Sequence, residues 1–205
     1  MAVQTPSSSN KNLVNFTLKL PPRQLEYLES LAPALGATSQ QSVLREIMEQ
    51  FQSWFRLPVY QREALQKDMA ARKAHIFQYI QELLARHYEE LREAASAPSR
   101  RGSPARPIPE ETEAMEAFAI RVSPMLLAYA DQLKAPLKMS TTAEVIREAV
   151  DQLAGWFQLP RYQAERLQKE MAARGLHIIE YVQETLARRY EALADVGAGE
   201  RGRHR

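Results

Sequence analysis

Cysteine is absent from all 205 residues of the chain. This absence excludes disulfides, thiolate metal sites and cysteine nucleophiles together, and it fits a protein of the reducing cytoplasm. Glycine is scarce as well, with 7 residues, and no glycine-rich loop precedes a Lys-Ser or Lys-Thr pair. The sequence therefore lacks the loop that cradles nucleotide phosphates in P-loop enzymes.

Long apolar runs are also missing. No stretch approaches the roughly 18 residues that a membrane-spanning helix requires, and the first residues, MAVQTPSSSNKN, lack the basic and apolar regions of a signal peptide. The formal net charge is only +2, unlike that of a strongly basic, histone-like DNA-binding protein. We expect a soluble cytoplasmic protein without a membrane partner.

Catalytic and metal-binding patterns are not found either. The serines are concentrated near the N-terminus and in a central proline-rich stretch, away from any pair of histidine and acid. His75 and His177 lack the neighbouring ligands that a metal site needs. We therefore expect no enzyme activity, no metal and no cofactor, and we interpret both histidines as helix-capping or packed residues.

The chain does contain an internal duplication. Residues 14–91 align with residues 116–193 at a constant offset of 102 and without a gap. The later parts of the two copies (54–91 and 156–193) share 25 identities in 38 positions, whereas the earlier parts (14–53 and 116–155) share only 10 in 40. If one event copied both parts, the difference indicates that the earlier part was freer to specialise.

The duplication and the composition divide the chain into five segments. Two units of roughly 80 residues, each small enough to need a partner, are separated by SAPSRRGSPARPIPEE, which is rich in Ser, Pro, Gly and Arg and has no helical period. The predicted segments are an N-terminal arm (1–12), unit 1 (13–93), a flexible basic linker (94–112), unit 2 (113–195) and a basic tail (196–205).

Each unit begins with the alternating pattern of a strand. In LVNFTLKL every second residue from Val14 to Leu20 is apolar and the residues between them are polar, and FAIRV in unit 2 repeats the apolar face. In unit 1, Pro21 and Pro22 end the strand and can begin a helix. One apolar face is therefore predicted for each strand, and the strand of unit 1 is predicted to have a polar face opposite it.

Two amphipathic helices follow the strand in each unit. Between them, Thr38 and Ser39 supply an N-terminal cap in unit 1, with a capping box predicted between Thr38 and Gln41. Thr141 and Glu144 have the same spacing in unit 2. The predicted unit is thus a strand, a helix, a short polar turn and a second helix.

A lone strand leaves both edges unpaired, so the two units must pair their strands. We predict an antiparallel two-stranded ribbon whose apolar face covers the helices and whose polar face points outward. A ribbon of two strands fits the major groove of DNA. A linker of about 20 residues permits pairing within one chain as well as between two chains, and the sequence leaves both open.

In this order of elements, residues 13–55 and 115–157 resemble the ribbon-helix-helix family, to which the Arc and methionine repressors belong. The resemblance implies a mainly α fold of tandem ribbon-helix-helix units, each followed here by an appended helical hairpin. It also implies sequence-specific binding of double-stranded DNA. In that family the paired strands enter the major groove, and the N-terminus of the second helix holds a backbone phosphate.

Carried onto this chain, the resemblance implies two sets of DNA contacts. The base-reading positions are Asn15, Thr17, Lys19, Ala117, Ala119 and Arg121. The phosphate-binding positions are Lys11, Ser39, Gln40, Thr141 and Thr142. The alanines of unit 2 cannot hydrogen-bond to bases, although they can contact a thymine methyl group. This departure argues against a symmetric reading of DNA by the two units.

The later part of each unit is predicted to be a helical hairpin, with a break between Arg72 and His75 in unit 1. The break is indicated by Gly175, which occupies in unit 2 the position equivalent to Lys73. A degenerate second ribbon-helix-helix motif, its strand reduced to WFQLP, is the alternative. Surface residues recur here as well as core residues, so we expect the hairpins to self-associate, in an intramolecular pseudo-dimer or a homodimer. The expected anchors are Tyr60, Tyr79, Tyr88, Tyr162, Tyr181 and Tyr190.

These expectations describe a bacterial-type DNA-binding protein of the nucleoid, acting as a transcriptional repressor or as an accessory factor on plasmid or other mobile DNA. Fusion of two units replaces bimolecular by intramolecular pairing and lets two unlike strands form one asymmetric ribbon. One alternative is a protein-binding module, such as an antitoxin or an assembly factor, that works through the hairpins. Another is a helical scaffold without affinity for DNA.

Overall fold

The computed structural model describes the backbone of residues 13–94 and 114–202 and the side chains of residues 13–94 and 114–195. Lys11 and the rest of the predicted N-terminal arm lie outside the described residues, as does the predicted linker after residue 94.

Both units contain one strand and four α-helices. Unit 1 consists of β1 (Val14–Leu20), α1 (Pro22–Leu31), α2 (Gln40–Gln52), α3 (Val59–Ala71) and α4 (Ile76–Ala94). Unit 2 consists of β2 (Glu116–Val122), α5 (Pro124–Leu137), α6 (Thr142–Ala154), a 3-10 turn (Trp156–Gln158), α7 (Arg161–Ala173) and α8 (Ile178–Gly202). The described chain is therefore mainly helical, as the sequence predicts.

The two strands form an antiparallel ribbon within one chain. Thr17 lies opposite Ala119, and these two residues are separated by the repeat offset of 102. A pseudo-two-fold axis that relates the units therefore passes through the centre of the ribbon. The predicted antiparallel pairing is confirmed, and in this structure it is intramolecular.

The apolar face of the ribbon packs on the helices. Leu18, Phe118, Ile120 and Val122 are each at most 7% exposed, whereas Phe16 is only half-buried. Because side chains alternate between faces along a strand, a shift of one residue in the pairing register would expose these apolar side chains to solvent. The core thus holds the register that presents the polar residues outward.

An aromatic cluster joins the two units. The ring of Phe51 in α2 packs edge to face against Phe55 at 5.2 Å, Phe77 at 5.1 Å and Phe157 of unit 2 at 6.4 Å between centroids. None of the four rings is more than 1% exposed. The two units therefore share one core.

The second helix of each ribbon unit starts from a side-chain cap. Thr141 caps α6 and Glu144 closes the capping box, as predicted. In unit 1 the N-cap is Ser39, one of the two residues predicted, but the capping box lies one residue later than predicted, because it joins Ser39 to Ser42 and not Thr38 to Gln41. The extended backbone of Ser39, with φ of −155°, lets its hydroxyl reach the amide three residues on.

A left-handed turn joins α2 to α3. Trp54, Phe55 and Arg56 have φ values between 51° and 57°, and residues 156–158 repeat this conformation in unit 2. Residues other than glycine adopt it only where packing holds them, and here the Trp and Phe side chains are buried. Neither segment is a strand, which favours the appended hairpin over a degenerate second ribbon-helix-helix motif.

The predicted break inside each hairpin is confirmed. It lies between α3 and α4 in unit 1, where Lys73 has φ of 56°, and Gly175 takes the equivalent conformation with φ of 65°. The ring of His75 then caps α4, since its Nδ1 accepts a hydrogen bond from the amide of Gln78 at 3.3 Å. This residue therefore has the structural role predicted for it.

The last helix is longer than the sequence predicts. α8 continues to Gly202, so that residues 196–202, assigned to a basic tail, are helical, because a formed helix propagates more easily than it nucleates. No helix in the described part of the chain combines the length and apolar character needed to cross a bilayer.

Candidate nucleic-acid interface

Six exposed side chains make up the outer face of the ribbon, hereafter the outer ribbon face. They alternate with the buried residues along both strands. They are Asn15, Thr17 and Lys19 of β1 and Ala117, Ala119 and Arg121 of β2. The structure thus brings together, on one surface, every position at which the resemblance implies base reading.

The register places unlike side chains side by side at the two ends of this face. Asn15 lies opposite Arg121, and Lys19 lies opposite Ala117. Directly opposite side chains are about 5 Å apart at Cβ, and four residues of strand separate the two ends by about 14 Å. One cation therefore stands at each end, beside an amide at one end and beside a methyl group at the other.

The backbone of the ribbon is tied to helices from both units. Nη1 of Arg147 in α6 donates to the carbonyl oxygen of Lys19 at 3.2 Å. Nε2 of the buried Gln24 in α1 donates in turn to the carbonyl oxygen of Arg147 at 3.2 Å. No sequence feature indicated this support, because Arg147 lies 128 residues after Lys19.

The N-terminus of α2 has an uncharged cap. The amide of Ser39 donates to Oγ of Ser42 at 3.2 Å, and the side chain of Gln40 donates to the carbonyl oxygen of Leu25 at 3.2 Å. No acidic residue lies in the first turn of the helix. The partial positive charge of this helix end is therefore not neutralised by a carboxylate of its own first turn.

The N-terminus of α6 differs, because a carboxylate occupies it. Oε2 of Glu144 accepts hydrogen bonds from the amides of Ser140 at 2.7 Å and Thr141 at 3.1 Å, and these bonds lower the pKa of Glu144. The hydroxyl of Thr142 donates to Oδ1 of Asp131 at 2.8 Å. Two carboxylates thus lie beside the amides at which the resemblance implies a phosphate.

The sequence contained the signal for this difference. Glu144 is recognisable as a capping residue, and unit 1 has Ser42 at the equivalent position. The two caps stabilise their helices in the same way, but only the one in unit 2 adds a negative charge. The two predicted phosphate sites are therefore electrostatically unequal.

The hairpins pack on each other, across the two units. The rings of Tyr60 and Tyr190 meet edge to face at 5.5 Å, and those of Tyr88 and Tyr162 meet at 5.6 Å. These pairs are equivalent under the repeat offset of 102, so the pseudo-two-fold axis relates them. Four of the predicted anchor tyrosines thus contact one another inside one chain.

A partly buried carboxylate in the hairpin of unit 1 bridges the units. Asp68 in α3 accepts two hydrogen bonds from Arg189 in α8, both at 2.9 Å, and one from the hydroxyl of Tyr79 at 2.7 Å. Burial by itself raises the pKa of Asp68, but the hydrogen bonds from Arg189, Tyr79 and Arg72 outweigh it and lower the pKa to about 2.

The equivalent bridge from unit 2 contains a histidine in place of the arginine. Glu170 in α7 accepts hydrogen bonds from the hydroxyl of Tyr181 and from Nε2 of His87, the latter at 3.0 Å. Burial opposes these bonds, but together they lower the pKa of Glu170. The last two anchor tyrosines, Tyr79 and Tyr181, therefore orient the carboxylates that connect the units.

No protein-family model matches the chain, and no curated protein and no solved structure shows significant similarity to it. Within the described side chains, no group of three His, Asp or Glu residues is arranged to hold a metal ion.

Proposed function

We propose that the protein binds double-stranded DNA by placing the outer ribbon face in the major groove, and that it reads a non-palindromic sequence. The observation that carries this proposal is the asymmetric, exposed face on a ribbon whose register is held by the core. An antiparallel pair of strands is narrow enough to enter the major groove.

The two ends of the face suit different bases. Arginine bonds bidentately to guanine and asparagine to adenine, so the end with Arg121 and Asn15 suits neighbouring purines. At the other end, Lys19 can bond to guanine, while Ala117 offers only a methyl contact to thymine. A site with unlike halves follows from the pairing of these unlike strands in one chain.

Such binding suits a transcriptional repressor or an accessory factor on plasmid or other mobile DNA. Because both strands belong to one chain, the ribbon does not require association of two chains, and its formation is independent of protein concentration. The protein would then act at the nucleoid.

The test is binding of fluorescent duplexes by the full-length protein, measured by anisotropy across a salt series. The duplexes are the DNA upstream of its own gene, a sequence selected from a random library, and an unrelated duplex. We expect tight binding to the upstream DNA, the selected sequence or both. Lys19→Ala and Arg121→Ala should each weaken that binding by about 1 to 3 kcal/mol, because each removes a side chain that bonds to a base.

Lys67→Ala with Lys169→Ala is the matched control, since these exposed residues occupy equivalent positions on α3 and α7. The control removes two positive charges from the hairpins, twice the charge that either ribbon variant removes, and should leave sequence discrimination unchanged. If wild-type protein bound neither the specific nor the unrelated duplex at low salt, the proposal would fail, and the hairpins would become the candidate binding surface for a protein partner.

Removing the charge of Glu144 should strengthen DNA binding. Glu144→Gln keeps a side chain that suits a capping box but removes the carboxylate from the N-terminus of α6. We expect a gain of about 0.3 to 1 kcal/mol in binding free energy, together with a steeper dependence of log K on log salt, by up to about 0.9 if one more phosphate is bound. Anisotropy with the selected duplex measures both quantities.

The reciprocal change, Ser42→Glu, places a carboxylate at the N-terminus of α2 and should weaken binding by a similar amount. Unchanged affinity in both variants would contradict a phosphate contact at these helix ends. Base reading by the ribbon is tested separately, by the Lys19 and Arg121 variants.

A further inference from the structure

A second candidate site lies between α4 and α8, hereafter the axial cavity. It has a volume of about 90 Å³ and is lined by four pairs of residues that the duplication makes equivalent. The pairs are Leu83 and Thr185, Arg86 and Arg188, His87 and Arg189, and Glu90 and Ala192. The cavity therefore lies where the pseudo-two-fold axis crosses the hairpins, and it is large enough for several water molecules or a tetrahedral oxyanion.

The lining of the axial cavity is cationic. Three arginines and one histidine line it together with a single carboxylate, that of Glu90, whose side chain is 62% exposed. Arg189 is already neutralised by its two hydrogen bonds to Asp68. Of the other two arginines, Arg188 has one ion pair, with Glu184 at 3.8 Å.

These two arginines are poorly compensated. Among the described residues, no carboxylate lies within 4 Å of the guanidinium group of Arg86. The closest carboxylate oxygen to Arg188, on Glu184, is 3.8 Å away and is also bonded to Arg174. Both side chains are exposed, and because an anion between two like positive charges is attracted by both, such an anion would be favoured here.

The ring of His87 holds Arg188 at the cavity. Nη1 of Arg188 lies 3.3 Å from Nδ1 and 3.2 Å from Nε2 of this ring, and the ring also contacts Glu170 at 3.0 Å and Glu90 at 3.4 Å. His87 therefore links the guanidinium group of Arg188 to the carboxylate of Glu170. The guanidinium group is thereby positioned before any ligand arrives.

We propose that the axial cavity binds a small phosphate-class oxyanion, free or carried by a metabolite, between Arg86 and Arg188. Guanidinium groups offer planar, paired donors that match the oxygens of such an anion. One arginine comes from each unit, so the bound anion bridges the units and stabilises their pairing by mass action. This site is independent of the outer ribbon face.

Isothermal titration of the full-length protein with inorganic phosphate tests the proposal, in chloride buffer of constant ionic strength. We expect saturable binding, weakened about tenfold or more by Arg86→Gln and by Arg188→Gln because each removes charge-assisted hydrogen bonds. Arg166→Gln, an exposed arginine of α7 outside the cavity, is the matched control and should bind as wild type does. Arg86→Lys keeps the charge and should bind more tightly than Arg86→Gln.

A parallel titration with a sugar phosphate separates the two sources of the ligand, because tighter binding of the sugar phosphate assigns the site to a metabolite and weaker binding assigns it to the free ion. Circular dichroism and urea unfolding check that the variants fold. Absence of saturable binding by wild-type protein, or equal phosphate affinity in the two cavity variants and the Arg166 control, would overturn the proposal.

Discussion

Replacing Asp68 with alanine is expected to lower the free energy of unfolding by about 3 to 5 kcal/mol. The change removes the acceptor of four hydrogen bonds, two from Arg189 and one each from Tyr79 and Arg72. It also leaves Arg189, whose side chain is only 15% exposed, without its carboxylate. Native proteins are stable by only about 5 to 15 kcal/mol, so the loss is a large fraction of the total. Urea unfolding followed by circular dichroism measures it.

Glu63→Ala is the matched control for this variant, because Glu63 lies exposed on the same helix and its removal should change stability by no more than about 0.5 kcal/mol. Glu170→Ala should lower the free energy of unfolding by an amount between those of Asp68→Ala and Glu63→Ala. The reason is that His87 makes one hydrogen bond to Glu170, whereas Arg189 makes two to Asp68. Equal effects of Asp68→Ala and Glu63→Ala would show that the bridge adds nothing to stability.

The pH dependence of the same unfolding experiment separates the ion pair from loss of packing. The folded-state pKa of Asp68, about 2, lies below its ordinary value of 3.8. The stability that it contributes is therefore fully present above about pH 4 and is lost as the pH falls toward 2. Asp68→Asn should lose less stability than wild type across this range.

Phe51→Ala is expected to cost about 3 to 5 kcal/mol of unfolding free energy. The ring is 1% exposed and packs against three other rings, one of them Phe157 of the second unit. Its removal leaves a cavity where the two units share their core, and the surrounding rings can close it only in part. The midpoint of urea unfolding should fall with little change in its slope.

Tyr60→Ala provides the aromatic control. This ring is 58% exposed and makes one edge-to-face contact with Tyr190, so its removal should cost about 1 kcal/mol. If Phe51→Ala and Tyr60→Ala had similar effects, the aromatic cluster would not be the junction of the two units.

Local features of this protein were predictable because they depend on residues close together in the chain. The alternation of apolar residues predicted which strand residues face outward. The offset of 102 identified the equivalent position of each residue in the other unit. The glycine at position 175 revealed the hairpin break, which Lys73 of unit 1 also forms in the left-handed conformation. The capping box of α2 was predicted one residue early, because Thr38 and Ser39 are chemically similar and only the backbone conformation distinguishes them.

By itself, the sequence determined the repeat, the helical class, the two faces of each strand and the side chains that the ribbon exposes. Tertiary structure alone decided that the strands pair within one chain, that Arg147 supports the ribbon, that Asp68 binds Arg189 and that Arg86 and Arg188 line one cavity. The reason is distance along the chain. These contacts join residues about 100 or more positions apart, and only the packing of the whole core brings such residues within reach.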